Sequence, residues 1–414
     1  MTMSFTSRSD RTIPDKVIVI DADALLPGDV ILSTSTGHVS WLIRAATSSS
    51  VSHAALHIGC GVAIEANDPG VVQVFLPSLA HDDTTKLVVK RMPDLSMGQR
   101  EELVQHAMEL LYRPYSTSGA VGTVVPFLRK QSDPGRFCSQ LVSHCYQMIE
   151  RPICEKAAEV CTPGDIHQSS TMLSVNSATR KVGGLVHQAA VGPYAERYAK
   201  YLQVGAANEQ NLIAKIRKEL PVALSEDFYN IYDVMRYVKV EITDIDLRKR
   251  CDAKIAAAVG SFLNRFPLRP SPGIAVATFM FNPPPIPALD SLITDGVMAE
   301  CQRLILSAGL AAKWELDRLT REFQKLTKEF AKNQSLSTLS VAAWVGQTVK
   351  VRMLYSRLCA ASAQPGSVPR GEVEQIKRDL REMAIKDPEG AEEFSLDTFH
   401  LLSQEVARPG SWVE

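Results

Sequence analysis

Strand-forming runs crowd the first part of this chain and nearly vanish from the rest. Between residues 17 and 92, short β-branched stretches alternate with turns, among them Val71-Val72-Gln73-Val74-Phe75 and Lys86-Leu87-Val88-Val89-Lys90. Ser96 and Gln99 form a capping-box start for a helix reaching about Tyr112. After about residue 185 the apolar spacing becomes helical, with helices expected at 193–219, 225–238, 243–265, 290–308, 310–332, 337–362, 371–385 and 391–405. Strands first and helices afterwards give an α+β fold class: a small antiparallel sheet packed on helices, followed by a mainly α-helical region. The expected organisation is a flexible N-terminus at 1–16, a first domain at 17–185 and a helical accessory region at 186–414. At 414 residues and 45% hydrophobic content the chain can build more than one core.

The chemistry centres on Phe137-Cys138-Ser139-Gln140-Leu141-Val142-Ser143-His144-Cys145-Tyr146. Apolar or weakly polar residues recur at 138, 141, 142, 145, 148 and 149, the spacing of one buried helix face, and Pro134-Gly135 marks the loop before it. Cys138 therefore falls in a first helical turn, pointing inward. Unpaired N–H groups and the positive end of the helix dipole favour thiolate there, and thiolate is the species that attacks a carbonyl carbon. A buried cysteine on a helix face is more often simple core, so the thiol needs a base to count as a nucleophile. His144 and Cys145 read as structural or exposed.

The base is expected upstream. In Ser52-His53-Ala54-Ala55-Leu56-His57-Ile58-Gly59 the two histidines alternate with aliphatics, so both face one side of a strand, and Gly61-Val62-Ala63-Ile64-Glu65-Ala66 reads as the returning strand. If all of Gly59-Cys60-Gly61 forms the loop, Ala55 pairs with Glu65 and His53 lies diagonally across from Glu65 on the same face. A two-residue loop would instead turn Glu65 to the face of Leu56. An odd loop or a bulge is thus a condition of any contact between His53 and Glu65. His57 shares the face and is the alternative base.

The order histidine, acid, cysteine, with Leu26-Pro27-Gly28-Asp29-Val30-Ile31-Leu32 as an opening strand, resembles the permuted NlpC/P60 proteins, specifically the YiiX/YebB-like permuted papain-fold amidases. Further matches are Ser40-Trp41-Leu42-Ile43-Arg44 leading through Thr47 to Ser52-His53, Tyr115 after Arg113-Pro114, and Thr162-Pro163-Gly164-Asp165-Ile166 followed by Ser170. The resemblance covers about residues 20 to 175 and implies a permuted papain-like domain with a Cys138, His53 and Glu65 constellation. It implies hydrolysis of an amide or acyl bond through a covalent acyl-enzyme. In that scheme Cys138 is the nucleophile, His53 the base and Glu65 the residue that orients it. Tyr115 and Ser139 become candidates for oxyanion or substrate contact.

Three classes of function compete. A cysteine hydrolase would act on a peptide, a cell-wall crosslink or a lipid-derived acyl bond. An acyltransferase would use the same acyl-enzyme, and a catalytically silent adaptor would keep only the fold. The intact cysteine, histidine and acid argue against the adaptor. The acyltransferases resembling this family carry Asn-Cys-Glu-His at the nucleophile where Phe137-Cys138-Ser139-Gln140 stands, which favours the hydrolase. The cysteine spacings include no CxxC and close no zinc tetrahedron, and no P-loop or GxGxxG follows a strand, so no cofactor is expected. The balance of 45 basic against 46 acidic residues gives no broad footprint for nucleic acid.

Scattered cysteines read as reduced thiols, Cys154 and Cys161 as packing residues, and the polar stretch Met1 to Asp15 lacks a signal-peptide core. The expected setting is cytoplasmic, or exported without a cleaved signal. No transmembrane segment is expected. Between its Pro-rich flanks at 266–287, the apolar run Ile274 to Phe281 is far shorter than the ~20 residues of a membrane span. The helical region could hold a protein partner, and Ser116 to Gln131 could form a lid over Cys138.

Overall fold

The computed structural model describes residues 14–34, 47–59, 61–68, 70–116, 136–261 and 291–343, together with single positions such as Trp41, Gly119 and Ala120. Outside the described residues lie nearly all of the N-terminal stretch, Cys60, the Pro-rich segment at 266–287 and most of the expected lid. So do most of the helix expected at 371–385 and all of that expected at 391–405.

Among the described residues, nine strands form two antiparallel sheets. The larger is built from β2 (Val30–Ser33), β3 (His53–Gly59), β4 (Val62–Asn67), β5 (Gly70–Phe75), β7 (Leu87–Arg91) and β8 (Leu173–Ser174), in the order β5-β4-β3-β2-β7-β8. The smaller places β1 (Lys16–Ile20) between β6 (Ala80–His81) and β9 (Thr179–Gly183). Ile31, Ala55, Ala63, Leu87 and Val89 on one face of the large sheet pack with Ile18, Ile20, Leu25, Leu76 and Ala178. The other face carries Val30, Leu32, Ala54, Leu56 and Ile64, each with no exposed surface. Helix α1 (Met97–Glu109) and helix α2 (Cys138–Met148) cover it: both pack on β3, and Gln73 Nε2 donates to Met108 Sδ at 3.7 Å. Polar ties gather at Gly28-Asp29, one of them from α2 and the other from β7. Tyr146 donates its hydroxyl to the Gly28 carbonyl, and the buried Asp29 carboxylate takes both Nε and Nη2 of Arg91, at 2.7 and 2.6 Å.

Ser96 and Gln99 make the capping box of α1, and Thr162 and Asp165 make another at α3 (Pro163–Gln168). The expected α+β arrangement of antiparallel sheet, packed helices and a helical remainder therefore holds.

The chain divides into two compact units, Met1–Lys200 with Phe279–Ser307, and Tyr201–Thr278 with Ala308–Glu414. This differs from the division at 185/186 read from the sequence. Gly183-Gly184 is only a strand-to-helix turn, in which Gly184 N–H donates to the Asp15 carbonyl at 3.1 Å, and α4 (Gly184–Glu219) runs on through the boundary. The helix includes Pro193, where the sequence suggested that a helix begins.

In the second unit, α5 (Ile231–Val240) and α6 (Ile245–Gly260) contribute to a core of Leu212, Ile216, Val234, Cys251, Ile255, Phe323 and Val341. The helices expected at 290–308 and 310–332 are one helix, α7 (Ser291–Asn333). A lone Gly309 costs about 1 kcal/mol against alanine, and flanking Ala308, Ala311 and Ala312 favour continuation. Among the described residues no helix is long and apolar enough to cross a membrane.

Candidate active site

Helix α2 begins at Cys138, and Phe137 before it has extended backbone. The first-turn N–H groups of a helix have no partner inside it, so the cysteine stands where a negative charge is favoured. Its side chain is 4% exposed. Leu141, Val142, Cys145 and Ile149 continue the buried stripe, whereas Met148, expected on it, is 51% exposed at the end of the helix. Cys145 is fully buried, and burial pushes its thiol up to about 12, which makes it inert core.

The hairpin of β3 and β4 pairs Ala55 with Glu65 and Leu56 with Ile64, and its register shifts between His57 and Gly59. Gly59 and Gly61 both take positive φ, a backbone glycine adopts without strain. This irregular turn brings His53 and Glu65 to one face, with His53 Nε2 2.8 Å from Glu65 Oε2. The carboxylate is nearly buried, and its other oxygen accepts from Asn67 Nδ2 at 2.6 Å. Asn67 did not emerge from the sequence. The available signal was its place two residues beyond Glu65, on the same strand face.

His53 and Cys138 lie near enough for each to shift the other's ionisation, and the backbone at Ala54 and Ser139 also favours a charged sulfur. Since Nε2 faces Glu65, Nδ1 is the ring nitrogen left for the thiol. Burial by itself would lower the His53 pKa, but the charges of Glu65 and Cys138 and its bonds to both raise it to about 10. Burial likewise opposes ionisation of Cys138. The imidazolium charge and the hydrogen bonds to sulfur outweigh it and hold the thiol below its ordinary value. The pair is thereby biased toward thiolate and imidazolium.

The remaining candidates separate by position. Tyr115 bridges to Arg136, and backbone bonds Ser116 N–H to Arg136 O (3.0 Å) and Arg136 N–H to Pro114 O (2.9 Å) stitch this segment to the residues just before α2. Burial, then the charge on Cys138, raises its phenol pKa, so the hydroxyl keeps its proton and remains a donor. Ser139 is fully buried and its hydroxyl donates to the Cys161 carbonyl at 2.7 Å, which removes the side chain from substrate contact and leaves only its N–H at the sulfur. His57 is 2% exposed, with Nδ1 2.9 Å from the Leu26 carbonyl, and burial lowers its pKa. It is therefore a neutral, structural histidine. Among the described residues, no group of three or more His, Cys, Asp or Glu side chains is placed to hold a metal ion.

Residues 24–179 match the family model described as permuted papain-like amidase enzyme, YaeF/YiiX, C92 family. They form a permuted papain-like domain. This permuted papain-like domain has the histidine strand before the cysteine helix, and NlpC/P60 is a slightly different wording from the family's own description. Over 126 residues the chain is 36% identical to the "Probable lipoprotein peptidase YaeF" of Escherichia coli (strain K12), a match covering 30% of this chain and 42% of that protein. The chain thus spans about two fifths of the length of the curated relative it matches. The crystal structure of metalloprotein yiiX from Escherichia coli O157:H7 is similar at 19% identity, covering 36% of this chain and 95% of that one, with a TM-score of 0.26.

Proposed function

We propose that the chain is a cysteine hydrolase that cleaves an amide bond through an acyl-enzyme on Cys138. The observation that carries this reading is the bonded run Asn67–Glu65–His53 beside a buried Cys138 whose thiol the imidazolium holds below its ordinary value. Glu65 fixes the ring by its bond to Nε2, and His53 holds the proton taken from the thiol. Thiolate attack on the carbonyl carbon forms a tetrahedral oxyanion, for which the Cys138 N–H at the helix start and the protonated Tyr115 hydroxyl are the candidate donors. Collapse expels the amine, which takes the proton from His53. Water then attacks the thioester with His53 as base, releasing the acid and restoring the thiol.

A peptide amide is the favoured substrate class, supported by the family description and by the relative named a probable lipoprotein peptidase. Cell-wall crosslinks share that amide chemistry. The decisive experiment incubates the protein and its Cys138→Ala variant with a series of thiol-reactive peptidyl and acyl probes, read by intact mass. One adduct per chain is expected, lost in the variant. Labelling that persists in the variant would sink the nucleophile assignment.

A further inference from the structure

Outside this machinery, two sulfur atoms approach each other more closely than unbonded sulfurs ordinarily do. Cys154 lies in the segment after α2, and Cys161 follows the single turn Ala158–Val160; their Sγ atoms are 2.8 Å apart. A disulfide bond needs about 2.05 Å, so a small movement of two side chains would close one. The two thiols are unequal in access. Cys154 is half-buried and Cys161 is fully buried.

We propose that Cys154 and Cys161 form a reversible disulfide, a modification site that takes a hydroperoxide as oxidant. The Cys154 thiolate attacks the terminal peroxide oxygen, and the O–O bond breaks. The departing alkoxide takes a proton from solvent to become an alcohol, leaving Cys154 as a sulfenic acid. Cys161 sulfur then attacks Cys154 sulfur, the S–O bond breaks, and hydroxide leaves as water with the Cys161 proton. Two thiols are oxidised while one peroxide is reduced to one alcohol and one water. The hydrogen bond from Cys161 lowers the Cys154 pKa to about 7, whereas Cys161 is raised by that same contact and by burial, consistent with attack by Cys154 and resolution by Cys161.

The bond would act on a particular part of the fold. The Cys161 carbonyl accepts the Ser139 hydroxyl at 2.7 Å, and Ser139 follows the candidate nucleophile. Thr162, the next residue, caps α3 with Asp165, whose carboxylate also holds Lys156 Nζ at 2.7 Å. Oxidation would therefore fasten the loop on which the first turn of α2 rests. The chemistry does not depend on whether Cys138 forms an acyl-enzyme.

The test uses the full chain treated with hydrogen peroxide, then alkylated and cut after glutamate without reduction. Cleavage after Glu150, Glu155 and Glu159 isolates Cys154 in the peptide Arg151–Glu155 and puts Cys161 in the peptide beginning at Val160. The expected product is these two peptides joined, lighter than their sum by two hydrogens and separated by a reductant. It should form equally in the Cys138→Ala variant and be absent from Cys154→Ser. The proposal falls if both cysteines emerge alkylated and unlinked, if Cys154 joins a different cysteine, or if Cys154 proceeds to sulfinic acid with Cys161 still a thiol.

Discussion

At the scale of single residues, the site turns on a histidine whose burial and partners oppose one another. Burial lowers the His53 pKa and Glu65 is the foremost of the influences that raise it, so Glu65→Gln leaves desolvation less opposed. The alkaline limb of kcat/KM, expected near the His53 value of about 10, should then move to lower pH, with a loss of roughly 10²- to 10⁴-fold in rate. In the native protein the profile should be bell-shaped. Below the depressed Cys138 pKa the thiolate takes up a proton, and above the raised His53 pKa the proton for the leaving group is gone. Iodoacetamide alkylation of Cys138 reads the acid limb without a substrate, and a midpoint at an ordinary thiol value would contradict the ion pair. Asn67→Ala should cost less, roughly tenfold, because it removes one hydrogen bond to a charged group while Glu65 keeps its bond to His53.

At the scale of elements, the hairpin turn and a close backbone approach do the positioning. A Cβ added at Gly70 would stand 2.5 Å from the Arg113 carbonyl, in the segment that carries Tyr115. Gly70→Ala should therefore displace that segment and cost on the order of 1–3 kcal/mol, measurable by denaturant unfolding. A variant of native stability would show that the approach relaxes freely. The capping box of α1 and the start of α2 were legible because each depends on residues within a few positions of one another. His53 and Glu65 were legible only conditionally. Strand periodicity gave each its face, but the contact depended on turn geometry that Gly59 and Gly61 permit without dictating. The partner of the Ser139 hydroxyl was not legible, because it is engaged by Cys161, 22 positions along the chain.

At the scale of the whole molecule, each unit has its own buried cluster, and the second is held by Ile255, Val234 and Cys251, none with exposed surface. Ile255→Ala should destabilise that unit by about 2–5 kcal/mol while leaving the Cys138 alkylation rate at 25 °C unchanged. A matching fall in alkylation would mean that the site draws on the second unit's core. The division itself was hidden from the sequence because α4 continues through it and the first unit is completed by residues distant in the chain. That discontinuity has a consequence for synthesis. Arg180, on β9, pairs with Glu300, and Val186 lies against Gly296, so the ribosome must add about a hundred further residues before the first unit receives its last contacts. A chain released at Lys200 would contain His53, Glu65 and Cys138 yet leave Arg180 waiting for a carboxylate that had not been made.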